Sequence, residues 1–163
     1  MSLGQILLIL LSIALFTTVG VNVNRIFTLK SQAMFNTVVD SNALALGQYL
    51  LSEVWTKEFD EATVNSKPDQ IPESFVSYTA LGKESENFHS TPYFDDVDDY
   101  NNLSTVVTFA ENDYRINGSV YYTNLQGDSL ITRTKYKMVV FRVHADNDPT
   151  NRIEVKQMMA YLP

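Results

Sequence analysis

Leu3-Gly4-Gln5-Ile6-Leu7-Leu8-Ile9-Leu10-Leu11-Ser12-Ile13-Ala14-Leu15-Phe16-Thr17-Thr18-Val19-Gly20-Val21 is the stretch on which the fold turns. Its polar members are Gln5, Ser12, Thr17 and Thr18, and no charged side chain occurs before Arg25. At about 1.5 Å per helical residue the run spans about 28 Å, the thickness of a bilayer's hydrocarbon core. A cleaved export signal would need a basic segment before the run and small residues at a cutting site after it. Nothing basic precedes this run, and Val21-Asn22-Val23-Asn24 makes a poor cutting site, so a retained membrane helix is expected. Arg25 and Lys30 follow the run, and the positive-inside rule taken alone would place the remainder of the chain in the cytoplasm.

The helical pattern continues beyond the membrane-length run. Between Val21 and Lys67 there is no proline, and Gly47 is the one glycine. Apolar residues recur at Ile26, Leu29 and Ala33, then at Val39, Ala43, Leu46, Leu50 and Val54. These three- and four-residue steps form the stripe of an amphipathic helix. One helix is expected from Leu3 to about Phe59, an apolar part over 1–25 and an amphipathic part over 26–60. The alternative is two helices joined near Gly20–Asn24. Thr17, Thr18, Val19, Gly20 and Val21 combine β-branched residues with a poor helix former, so the helix is weakest there. Opening of the helix at that point is an expectation.

Residues 61–103 read as a variable loop region with Pro68, Pro72, Pro92 and Gly82 and, at most, short elements. Residues 104–163 read as an antiparallel sheet of about four strands. Ser104–Phe109 is β-branched and aromatic. Tyr114, Ile116, Gly118, Val120 and Tyr122 alternate with mostly polar neighbours. Tyr136–Val143 is a nearly continuous apolar run suited to a central strand, and Ile153–Tyr161 closes the set. The expected fold class is α+β, a long N-terminal helix with its second half packed on a small antiparallel sheet.

Charge and composition narrow the function. The 163 residues carry 19 acids and 12 bases, a net charge of −7 that argues against nucleic acid as a partner. The imbalance lies in residues 1–114, with five bases against fifteen acids; residues 115–163 hold seven against four. The absence of cysteine excludes disulfides, a thiolate nucleophile and thiolate-ligated metals. His89 and His144 fit no triad or metal spacing, and no phosphate loop or nucleophile elbow occurs, so no enzyme is expected. Asp95, Asp96, Asp98 and Asp99 are the one candidate ion site. Clustered carboxylates with Asn101 and Asn102 could supply oxygens to calcium. The spacing of an EF-hand is missing, however, and aspartates also build hydrogen-bonded turns. Asn117-Gly118-Ser119 matches a glycosylation sequon of low specificity.

The whole layout resembles type IV pilins and pseudopilins. Ala43–Glu61, reading ALALGQYLLSEVWTKEFDE, is similar to the helix end of minor pilin-like proteins of the MSHA type. Phe94-Asp95-Asp96-Val97-Asp98-Asp99-Tyr100-Asn101 is similar to their aspartate-rich signature, and Lys135–Val140 and Ile153–Val155 to their sheet. The resemblance implies a structural subunit held in the inner membrane before assembly, then built by pilus or secretion machinery into a helical homopolymer at the cell surface. It implies assembly through Met1, Gln5, Leu8, Leu11, Leu15 and Gly20, with no cofactor beyond the calcium candidate. Adhesion, motility, DNA uptake and secretion all remain open within it. It also implies an N-terminus inside and a globular part outside, so Arg25 and Lys30 would follow translocation. Glutamate is usual at the fifth mature position; with Met1 as the first residue, Gln5 stands there and offers hydrogen bonds in place of a charge. Two alternatives stay open: a membrane-anchored minor pseudopilin that primes assembly, and a single-pass envelope protein with a ligand-binding domain.

Overall fold

The computed structural model describes residues 2–64, 71–82 and 94–162. Two compact units divide the chain, Met1–Val39 and Asp40–Pro163. Helix α1, Leu3–Val54, supplies all of the described secondary structure of the first and opens the second. It is continuous through Gly20–Asn24, so the two-helix alternative does not apply. Ser2 precedes it as a cap: the Ser2 N–H donates to Gln5 Oε1 at 3.1 Å, while Ser2 O accepts from the Gln5 N–H at 3.0 Å. The Ser2-Leu3-Gly4-Gln5 spacing is that of a capping box.

In the second unit, α1 is followed by the one-turn helix α2, Glu61–Val64, and by single 3-10 turns at Tyr78–Ala80 and Asp98–Tyr100. The sheet comprises β1 Ser104–Phe109, β2 Asn112–Thr123, β3 Ser129–Leu130, β4 Tyr136–Ala145 and β5 Ile153–Ala160. All pairings are antiparallel in the order β1-β2-β4-β5, with the two-residue β3 paired to β2. The chain is α+β, as its patterning required. Tyr114, Ile116, Val120 and Tyr122 of β2 are buried, as are Val139, Phe141, Val143 and Ala145 of β4. Alternation in β2 therefore picks out the inward face, since successive strand residues point to opposite sides.

Ala43, Gly47, Leu50 and Val54 are the buried residues of α1. Gly47 is there because the helix comes close to β5: a Cβ on it would lie 2.6 Å from Val155 Cγ2. Gly118 serves a similar approach, since a Cβ would meet the Tyr100 carbonyl oxygen at 2.5 Å. Its N–H donates to Leu103 O at 2.8 Å, anchoring the loop over β2.

Two boundaries differ from expectation. The helix ends at Val54, not at Phe59. Thr56 and Lys57 turn back onto Glu53 O and Val54 O, and the Glu58 N–H leaves the helix for Asp95 O at 3.1 Å. The Val97 N–H returns to Glu58 O at 3.0 Å, so the aspartate loop competes for the backbone that would have extended the helix. The packed stripe also starts later than Ile26. Ile26, Leu29 and Ala33 are exposed, and burial within the second unit begins around Asp40.

Candidate functional site

Two features of the molecule carry unusual chemistry. The first is the surface of α1 in the first unit. Every described residue from Ser2 to Val38 is exposed, including Leu8 at 67%, Leu11 at 67% and Leu15 at 66%. The helix is long and apolar enough to cross a membrane, and none of its most apolar segment is buried within the chain. Its few polar side chains turn inward on their own backbone. Thr17 and Thr18 hydroxyls donate to Ile13 O at 2.8 Å and Ala14 O at 2.7 Å, and Asn22 Nδ2 donates to Thr18 O at 2.9 Å. Ser12 does the same to Leu8 O at 2.8 Å. Such back-bonding satisfies donors that hydrocarbon cannot. A Cβ on Gly20 would meet no heavy atom within 4 Å, so that face is open. Met1 lies outside the described residues.

The second feature is a buried charge cluster. Lys137 lies on the inward side of β4, in phase with Val139 and Phe141, and is fully buried. Its Nζ donates to Phe59 O at 2.7 Å, Asp60 Oδ2 at 2.7 Å and Asp98 Oδ1 at 2.5 Å. The ring centroids of Phe59 and Tyr122 lie 4.7 and 5.5 Å from it. Asp60 is positioned by the turn that starts α2: its carboxylate also accepts from the Ala62 and Val76 N–H groups at 3.3 and 3.0 Å. The Tyr122 hydroxyl sits 3.1 Å from Asp60 Oδ2 and 2.7 Å from Val76 O.

The four aspartates of the sequence motif have separate tasks. Asp96 Oδ1 accepts from the N–H groups of Asp98 and Asp99, at 2.8 and 3.2 Å. Asp99 Oδ2 accepts from those of Asp95 and Asp96, at 2.9 and 3.4 Å. Asp98 is spent on Lys137. Among the described residues no group of three or more carboxylate or imidazole side chains could hold a metal ion. Burial, then the neighbouring Asp98, pushes the Asp96 carboxyl up to about 9, so it carries a proton at neutral pH. Burial also raises Asp98, against the pull of Lys137. The Oδ2 atoms of Asp96 and Asp98 are both buried and have no hydrogen-bond partner among the described residues.

The aspartate loop is tied to the helix as well. Tyr100 donates to Glu53 Oε1 at 2.9 Å, Lys57 Nζ donates to Phe94 O, and Tyr100 stacks edge-on against Phe94 and Phe141. Of the two histidines, His144 is buried in β4 with an unpartnered Nδ1, and His89 lies outside the described residues. Asn117 of the sequon is half-buried in the middle of β2, opposite Ser104 and Arg142. Sequence reasoning missed Asp60 and Lys137; the signal for Lys137 was its odd-numbered phase with Val139, Phe141 and Val143. Comparison with known protein families, with curated proteins and with solved structures finds no match.

Proposed function

We propose that this chain is the structural subunit of a type IV pilus-like filament, held in the membrane by residues 1–25 and polymerised through the same surface. The observations that carry this reading are the exposed apolar helix of the first unit and, separately, a second unit with a core of its own. An apolar surface of that length requires cover, and lipid or other copies of the same helix supply it at about 25 cal/mol per Å² buried. In the filament Leu8, Leu11 and Leu15 face neighbouring helices and the sheet units form the outside. Head-to-tail contacts of this kind do not close, so they generate a fibre. Gln5 caps its own helix in the free subunit and becomes available to a neighbour on assembly.

The test is to shear filaments from the cell surface and identify their peptides. The proposal expects this chain as the dominant species. Recovery solely in the membrane fraction would favour a minor pseudopilin or a single-pass envelope protein.

A further inference from the structure

We infer that Lys137 and Asp98 react with one another, the Lys137 nitrogen forming an amide with the Asp98 side-chain carbonyl carbon and one water leaving. The inference is independent of the filament reading, since it rests on the buried cluster alone. Four requirements of amide formation meet at this site. The nucleophile and electrophile are held together, with Nζ 2.5 Å from Asp98 Oδ1. A base adjoins the nitrogen, Asp60 Oδ2 at 2.7 Å. An acid adjoins Asp98, the Asp96 carboxyl, whose Oδ1 accepts from the Asp98 N–H at 2.8 Å and which burial keeps protonated. Lys137, Asp60 and Asp98 side chains are sealed from solvent, with the rings of Phe59 and Tyr122 beside the nitrogen.

The atoms balance without a co-reactant. An ammonium and a carboxylate together contain one amide and one water. Asp60 takes one proton from Nζ, and the freed lone pair forms the N–C bond at Asp98 Cγ. The Cγ–Oδ2 bond then breaks, and the oxygen departs as water with one proton from Asp96 and the second from Nζ. Asp60 ends protonated and Asp96 ionised, so the total charge of the cluster is unchanged. The driving force is electrostatic: an ion pair stripped of water is replaced by a neutral amide, and the departing water returns to solvent.

Asp98 is the electrophile because the Asp60 carboxyl is already occupied by the Ala62 and Val76 N–H groups, which fix it beside the nitrogen. Asp98 Oδ2 accepts no hydrogen bond among the described residues, so it is the oxygen free to leave. The bond would join the loop after α2 to the central strand β4, across 39 residues of chain.

The experiment is a tryptic digest of the denatured full-length chain from detergent, read by mass spectrometry. The expected product is the peptide containing Asp98 joined to the one containing Lys137, lighter than their sum by one water. Asp98→Asn should give the same product by loss of ammonia, and Asp96→Ala should lower the linked fraction at least several-fold. Lys137→Arg should return two free peptides. Free peptides from the unsubstituted chain, or a link mapped to Asp60, would overturn the inference, and neither reading depends on a variant folding.

Discussion

The first 39 residues and the remaining 124 solve the problem of apolar surface in opposite ways. In the first unit Leu7, Leu8, Leu10, Leu11 and Leu15 are all more than half exposed. In the second, Phe75, Tyr100, Tyr114, Tyr122 and Phe141 are sealed, and even a lysine is fully buried. The same helix serves both, yet its buried residues, Ala43, Gly47, Leu50 and Val54, all lie in its last dozen positions. One unit has a core of its own, and the other leaves its apolar surface exposed, which the proposed function covers with lipid or with copies of the same helix. The contrast teaches that buried and exposed apolar surface belong to separate stretches of chain, so stability and the proposed assembly should respond to separate substitutions.

Removing the first unit should have the largest effect. A chain starting at Asp40 should fold, stay monomeric and leave the membrane fraction, as measured by sedimentation and circular dichroism. One starting at Arg25 keeps Phe27, Met34 and Phe35 exposed and should associate weakly. Filaments from either would break the division of labour.

Lys137→Met comes next. It leaves Asp60 and Asp98 buried without a cation and should cost about 3–5 kcal/mol in denaturant unfolding. Membrane association, which the proposed function assigns to the first unit, should persist. The third effect is pH dependence. Asp96 binds its proton more tightly in the folded state than its ordinary 3.8 allows, rising to about 9. Stability from such a group is complete below the unfolded value and is lost as pH climbs through the folded one. The melting temperature of the second unit should therefore fall from mildly acid pH toward about 9. Asp96→Asn, which keeps the acceptor for the Asp98 and Asp99 N–H groups, should flatten that fall. The fall is measured on Lys137→Arg, which forms no amide, because the joined form leaves Asp96 ionised.

Gly47→Ala should cost about 1–3 kcal/mol, because Val155 is stiff at χ1 and helix or strand must shift to admit the methyl group. Calcium is the smallest case. With Asp98 on Lys137, and Asp96 and Asp99 accepting backbone N–H groups, millimolar calcium should leave the melting temperature of the second unit unchanged.

Patterns within a single element were legible in the chain. The strand limits Ser104–Phe109 and the alternation Tyr114–Tyr122 follow from period two, which needs no knowledge of partners. What could not be read depends on partners distant in sequence. Lys137 sits in an apolar run and owes its burial to Asp60 and Asp98, 77 and 39 residues away. The helix end at Val54 is likewise decided by Asp95 and Val97, which claim the backbone of Glu58. Nothing in Trp55–Phe59 itself stops a helix. The stripe at Ile26, Leu29 and Ala33 shows the converse: periodicity marks a face and leaves open what covers it.

A side-chain-resolution reconstruction of surface filaments tests the central claim most directly. The account predicts Leu8, Leu11 and Leu15 buried against neighbouring helices, Gln5 bonded to an adjacent chain, and the sheet units outside. It also predicts that helical bonding opens around Thr17–Asn22, where β-branched residues surround Gly20. Unbroken bonding from Leu10 to Ile26 would remove that last element alone. Filaments in which the apolar helix faces solvent, or in which this chain is missing, would contradict the account as a whole.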